Sequence, residues 1–67
     1  MIALTINGQS RSFPAPLNAA RLIEELALKG KRIALERNGE IVPRSQFDKV
    51  ALADGDALEI VVAVGGG

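Results

Sequence analysis

Residues 57–67 read ALEIVVAVGGG, and the part that precedes the glycines decides the fold. Leu58, Ile60, Val62 and Val64 alternate with Glu59, Val61 and Ala63, the period of two that a strand shows when one of its faces is buried. An apolar alternation of this length belongs to a central strand. The other end of the chain carries its counterpart, because Ile2, Leu4 and Ile6 alternate with Ala3, Thr5 and Asn7. The first and last strands are therefore expected side by side in the middle of one sheet.

The residues between them supply the rest. Asn7-Gly8 offers the two positive-φ positions of a tight type I′ turn, so the chain folds back through Gln9 to Phe13 as a hairpin. Pro14 and Pro16 lack the N–H donors that a ladder needs, and the second strand stops before them. A helix is expected next: Asn18 is a suitable N-cap, Leu17 and Leu22 occupy the two positions of a hydrophobic staple, and Ala19, Leu22, Ile23, Leu26 and Ala27 make an apolar stripe. Arg21 stands at N3, where a capping-box Glu is more usual. Lys29-Gly30 reads as a cation and a C′ glycine that end the helix. Ile33 to Glu36 is a strand, Asn38-Gly39 a second tight turn, and Ile41-Val42 a short return strand closed by Pro43. Arg44 to Leu52 has no clear period and reads as a loop with one short helical turn, anchored by Phe47 and Leu52. Asp54-Gly55-Asp56 is a turn. The order β-β-α-β-β-β, with a helix that covers one face only, gives an α+β fold of the β-grasp, or ubiquitin-like, type: a mixed sheet of about five strands wrapped on one helix. The folded domain is expected over residues 1–64, with 65–67 a flexible glycine tail.

Composition narrows the function. A chain of 67 residues is one small domain with no room for a buried cleft, and its 48% hydrophobic content with only Phe13 and Phe47 as aromatics implies a Leu/Ile/Val core. Eight basic and eight acidic residues cancel, which argues against nucleic acid. No stretch approaches the roughly 20 apolar residues of a membrane span, and MIALTINGQ (residues 1–9) lacks a basic segment followed by a long apolar run, so no leader is expected. With no Cys to form disulfides, the expected compartment is the cytoplasm and the free chain is expected to be monomeric. The absence of His and Cys removes the usual nucleophile and base pairs, and no metal-ligand spacing is present. Ser10, Ser12 and Ser45 fall in or near turns, Asp54 and Asp56 lack the further oxygens of a calcium loop, and Glu24, Glu25 and the Lys29 to Arg32 cations are solvated surface. The glycines precede neither a helix nor a Lys, so they are not a phosphate loop. An enzyme is not expected.

The tail remains. Residues 65–67 follow a central strand with no polar spacer, and glycine, lacking Cβ, can thread a narrow channel and bring its carboxylate to ATP held by another protein. A frayed terminus has the same composition, and the residues alone leave both readings open. Two further features bear on partners. Val61, Ala63, Ala3 and Thr5 point away from the helix and form a sheet face of small apolar residues suited to docking. Arg37 and Arg44 bracket the second tight turn, where they would meet an acidic rim.

The segment ERNGEIVPR (residues 36–44), the aromatic Phe47, Leu52 ahead of Asp54-Gly55-Asp56, and the terminal VGGG from Val64 together resemble the ThiS family of sulfur carriers in thiamin biosynthesis, over essentially the whole chain. The resemblance implies that a ThiF-type enzyme adenylates the carboxylate of Gly67 with MgATP, that a sulfur-relay enzyme bearing a Cys persulfide supplies sulfur to give a thiocarboxylate, and that thiazole synthase takes this sulfur for the thiazole ring. Gly65 and Gly66 give reach, and the chain itself binds no cofactor. Two alternatives stand beside it. A MoaD-like carrier for molybdopterin synthesis shares the chemistry, although that family usually runs longer and approaches its glycines through a proline-containing segment absent here. A ubiquitin-like modifier would form an amide with a target lysine through Gly67.

Overall fold

A computed structural model of the chain describes residues 1–63. Among them the elements run β1 (Ile2–Ile6), β2 (Gln9–Phe13), α1 (Ala19–Glu25), β3 (Ile33–Arg37), β4 (Glu40–Val42), a 3₁₀ turn (Arg44–Gln46) and β5 (Ala57–Val62). The five strands form a single sheet in the order β2-β1-β5-β3-β4, with β1 and β5 parallel and the other neighbours antiparallel. The first and last strands are adjacent, with β5 at the centre, as their alternation requires. The arrangement is the β-grasp.

Both tight turns take the expected form. Asn7 and Gly8 have φ of 50° and 83°, and Asn38 and Gly39 have 50° and 85°. These set the registers Ile6↔Gln9 and Arg37↔Glu40. β2 is exposed and polar except at Phe13, over whose ring the Arg11 guanidinium lies at 5.5 Å.

The helix sits on one face of the sheet, and its N-terminus is closed by a distant part of the chain. An α-helix leaves its first N–H groups without internal partners. Here the Ala19 N–H donates to the Val50 carbonyl (3.0 Å), the Ala20 N–H to that of Phe47 (2.9 Å), and the Arg21 N–H to the Asn18 side chain (2.7 Å). The segment after β4 thus wraps over the start of the helix, which explains why a stretch without periodicity buries Phe47 and Leu52. Leu17 and Leu22, the staple pair, are both buried. Leu4, Leu22, Leu35 and Leu58 form the fully buried centre of the core.

The C-terminal end of the helix departs from the sequence reading. The helix ends at Glu25 with Leu26 as its cap, and Ala27, not Gly30, takes the left-handed conformation (φ 59°). Ala27 N–H donates to the Glu24 carbonyl (3.0 Å) and Leu28 N–H to that of Ile23 (2.9 Å), the paired bonds of a Schellman motif. Packing decides this. Stopping there turns Leu28 back onto the core cluster beside Ile23, and Ala27 is left exposed instead of continuing the apolar stripe. Gly30 (φ 86°) serves the next turn, in which Lys31 N–H donates to the Leu28 carbonyl at 3.1 Å.

An L-residue with a Cβ is strained in this conformation, and Ala27 is exposed, so nothing is lost by removing its methyl group. Ala27→Gly is expected to stabilise the fold by about 0.5–1 kcal/mol, the relief of strain exceeding the added chain entropy. Thermal or urea unfolding of the two chains compares them directly.

Candidate functional site: the open sheet face and the end of the last strand

Alternation along β5 buries Leu58 and Ile60 against the helix side and turns Ala57, Glu59 and Val61 to the other side. Ala3 and Thr5 of β1 are exposed on this same open face. Val61 is 63% exposed, with Ala34 of β3 directly opposite it. The face is shared, yet its expected members do not form one cluster. Thr5 pairs with Ala57, so Val61 lies four residues further along β5, roughly 13 Å away. The residues of this face that the sequence reading missed, Ala34 opposite Val61 and Ile41 opposite Glu36, come from β3 and β4. Their strand parity was readable, but the order of strands was needed to place them.

The end of β5 is held in place. Beyond Val62, which pairs with Ile33, the Ala63 N–H donates to the Arg32 carbonyl at 2.9 Å and extends the ladder by one residue. Val64 and the expected threading residues Gly65, Gly66 and Gly67 lie outside the described residues, and so does the expectation that they are flexible.

The two arginines differ in their placement. The Arg37 Nε donates to Oδ2 of Asp56 at 2.8 Å, and the Asp56 side chain is only 9% exposed. Arg37, expected to meet an acidic rim on a partner, thus has its Nε engaged within the molecule, with about a third of its side chain (32%) exposed. Arg44 is exposed and lines, with Ile23, Leu28 and Phe47, a shallow groove of about 280 Å³ on the helix side, away from Val61.

Asp56, read from the sequence as part of a turn, is the hub of a polar network. Its carboxylate also accepts from the Ala53 N–H (2.8 Å) and the Asn38 amide (3.1 Å). Burial acts to raise its pKa, but these donors and the Arg37 charge outweigh it and hold the carboxyl below the usual aspartate value. The neighbouring Asp54 accepts from the Ala3 N–H at 2.7 Å, so the turn also clasps the start of β1.

No helix among the described residues is long and apolar enough to cross a membrane. A five-stranded mixed sheet with one covering helix, an open opposite face and a central last strand defines a ubiquitin-like β-grasp domain. The sequence matches the ThiS family over residues 4–67, and the chain belongs to that family. A solved structure of the thiamine biosynthesis protein ThiS from Geobacter metallireducens superposes with a TM-score of 0.82 at 33% identity, covering 98% of this chain and all of that one. The sulfur carrier protein ThiS of Bacillus subtilis is 41% identical over 46 residues, 69% of this chain and 70% of that protein. A thiazole synthase of Paramagnetospirillum magneticum is 48% identical over 64 residues, which is 96% of this chain but 20% of that protein. The chain spans about a fifth of the length of that relative.

Because the Asp56 pKa is lowered by folding, the network contributes stability above the unfolded-state pKa of about 3.9 and loses it as pH falls through the lower folded value. Asp56→Asn is expected to destabilise the chain at pH 7 by about 1–3 kcal/mol, since it removes the ion pair and leaves donors unmatched. The gap between variant and parent should narrow below about pH 4, as read by urea unfolding across the acid range.

Proposed function

We propose that this chain is a sulfur carrier of thiamine biosynthesis, that Gly67 is its reactive residue, and that the β-grasp body serves as the handle by which partner enzymes hold it. The observation that carries the reading is the family match, which extends from Leu4 in the first strand to Gly67. The fold supports it. A chain that leaves the central strand starts from the best-anchored point of the sheet, so a partner that grips the body also fixes where the glycines begin.

In this reading a ThiF-type enzyme binds MgATP and presents the α-phosphorus to the Gly67 carboxylate. The carboxylate oxygen forms the new P–O bond, pyrophosphate leaves, and a mixed anhydride with AMP results. The terminal sulfur of a Cys persulfide on a relay enzyme then attacks the carbonyl carbon and AMP departs. A thiol attacks the relay sulfur of the S–S bond, which releases the thiocarboxylate and forms a mixed disulfide with the relay Cys, and a second thiol frees that Cys, the two thiols leaving as a disulfide. A carboxylate alone is a poor acyl donor, and the adenylate supplies the leaving group. The acceptor of the sulfur is a thiazole synthase, a reading supported by the segments similar to this chain within the thiazole synthases of Paramagnetospirillum magneticum and Magnetococcus marinus.

Incubation with a ThiF-type enzyme, MgATP, a persulfide source and a thiol is expected to replace one oxygen of Gly67 by sulfur, as read by mass spectrometry of the intact chain. Deleting Gly67 withdraws the carboxylate by roughly 3.3–3.6 Å, and adenylation should be lost. Gly66→Val should also block it, by placing a β-branched side chain where bare backbone is needed. Sulfur gained equally well without Gly67 would overturn the assignment. An amide bond to a target lysine would favour the modifier reading.

Val61 provides a second test. Val61→Asn, which removes exposed apolar surface without adding charge, should weaken partner binding while changing stability by no more than about 0.5 kcal/mol. Unchanged binding would place the interface elsewhere.

A further inference from the structure

The open face carries an arrangement that the fold does not explain. The antiparallel register of β3 and β5 sets Glu36 directly opposite Glu59, and that of β3 and β4 sets Ile41 opposite Glu36. All three alternate with buried core residues, Leu35, Val42, Leu58 and Ile60, and so share the open face. Directly opposed residues hold their Cβ atoms about 4.5–5.5 Å apart, and like charges in that position oppose folding. Among the described residues, the ion pairs that form are Arg21–Glu25, Lys29–Glu24 and Arg37–Asp56, none of which involves Glu36 or Glu59. Ile41 (68%) and Val61 (63%) are, with Met1, the large hydrophobic residues most exposed among those described, and they flank the two carboxylates. The face thus sets two directly opposed glutamates, outside every ion pair among the described residues, beside two exposed apolar side chains.

We propose that this end of the open face docks a thiazole synthase through an arginine of that enzyme laid across Glu36 and Glu59, with apolar side chains of the enzyme packed on Ile41 and Val61. Charge complementarity selects an arginine, and the thiazole synthases that contain a segment similar to this chain point to the enzyme that bears it. Two carboxylates side by side match the planar fork of a guanidinium, whose aliphatic stem can lie on the neighbouring apolar residues. A divalent cation would need further oxygen ligands, whereas Ala34, Ile41 and Val61 surround the pair. Relief of the repulsion on binding, with no such relief in the free chain, favours the complex. The inference rests on the carrier reading, because β5 carries both Glu59 and Val61 and leads on to the glycines. Gly67 lies six positions beyond Val61, a reach of at most about 20–22 Å, close enough for one partner to supply both the arginine and the channel that receives the tail.

The test uses the full chain and a thiazole synthase that has no carrier segment of its own, with affinity measured by calorimetry at two salt concentrations. The double variant Glu36→Gln/Glu59→Gln is expected to bind at least about tenfold more weakly than the parent and to lose most of the salt dependence. Its thermal unfolding midpoint should equal or exceed that of the parent, since a repulsive pair has been removed. Affinity within twofold of the parent with the same salt dependence would overturn the proposal, as would a clear loss of stability, which would show the pair to be stabilising within the fold. A parent chain that is loaded with sulfur but does not bind the synthase also overturns it. Sulfur loading of the parent by the ThiF-type enzyme is measured in parallel: its failure removes the carrier reading itself, independently of how the glutamate variants behave.

Discussion

Everything in this molecule depends on β5 being paired along both of its edges. Its parallel neighbour β1 and its antiparallel neighbour β3 come from opposite halves of the chain, and the intervening helix is what allows the parallel pairing. Two asparagines fasten the arrangement. The Asn7 side chain accepts from the Ile60 N–H at 2.7 Å and donates to the Ile60 carbonyl at 3.0 Å, imitating a strand residue where β1 has already turned away. On the other edge the Asn38 side chain accepts from the Ala57 N–H at 2.9 Å and donates to Asp56. Each residue that makes a hairpin turn possible also holds the central strand, so the turns and the sheet order are one constraint.

The same coupling explains what could be read in advance. Strand positions, both Asn-Gly turns and the central place of the first and last strands follow from local pattern, because alternation and turn chemistry act over a few residues. The N-cap at Asn18 and the staple of Leu17 and Leu22 were equally visible. The helix end was not. Gly30 looked like the stop signal, and the contest was settled by whether Leu28 could reach the core, which no local rule measures. Asp56 was hidden for a similar reason. Its burial comes from Arg37 and Asn38, distant in sequence, and a turn motif gives no sign of them. The open face was legible as to parity and illegible as to neighbours: Val61 and Thr5 were both placed on it correctly, but only the strand order brings Ala34 to Val61 and Ile41 to Glu36.

For a carrier, the division of labour follows from this architecture. The side of the sheet that holds the molecule together, with Leu4, Leu22, Leu35 and Leu58 at its centre, is wholly covered by the helix and the segment after β4. The residues of the side left open, Ala3, Thr5, Ala34, Ala57, Glu59 and Val61 among them, are exposed and take no part in the core cluster. Arg37 is engaged in the interior network and Arg44 stands on the helix side, so neither constrains what the open face can bind.

The edges of the sheet carry one more consequence. One border is β2, in which Gln9, Ser10, Arg11 and Ser12 are all exposed and polar, and the other is β4, only three residues long and followed at once by Pro43. Neither border is a good template for an added strand, since the first is hydrophilic and the second is too short and ends in a residue without an N–H. Extension of the sheet by a second copy is thereby disfavoured at both borders, and the flat of the sheet, where Ile41 and Val61 are exposed, is left as the apolar surface.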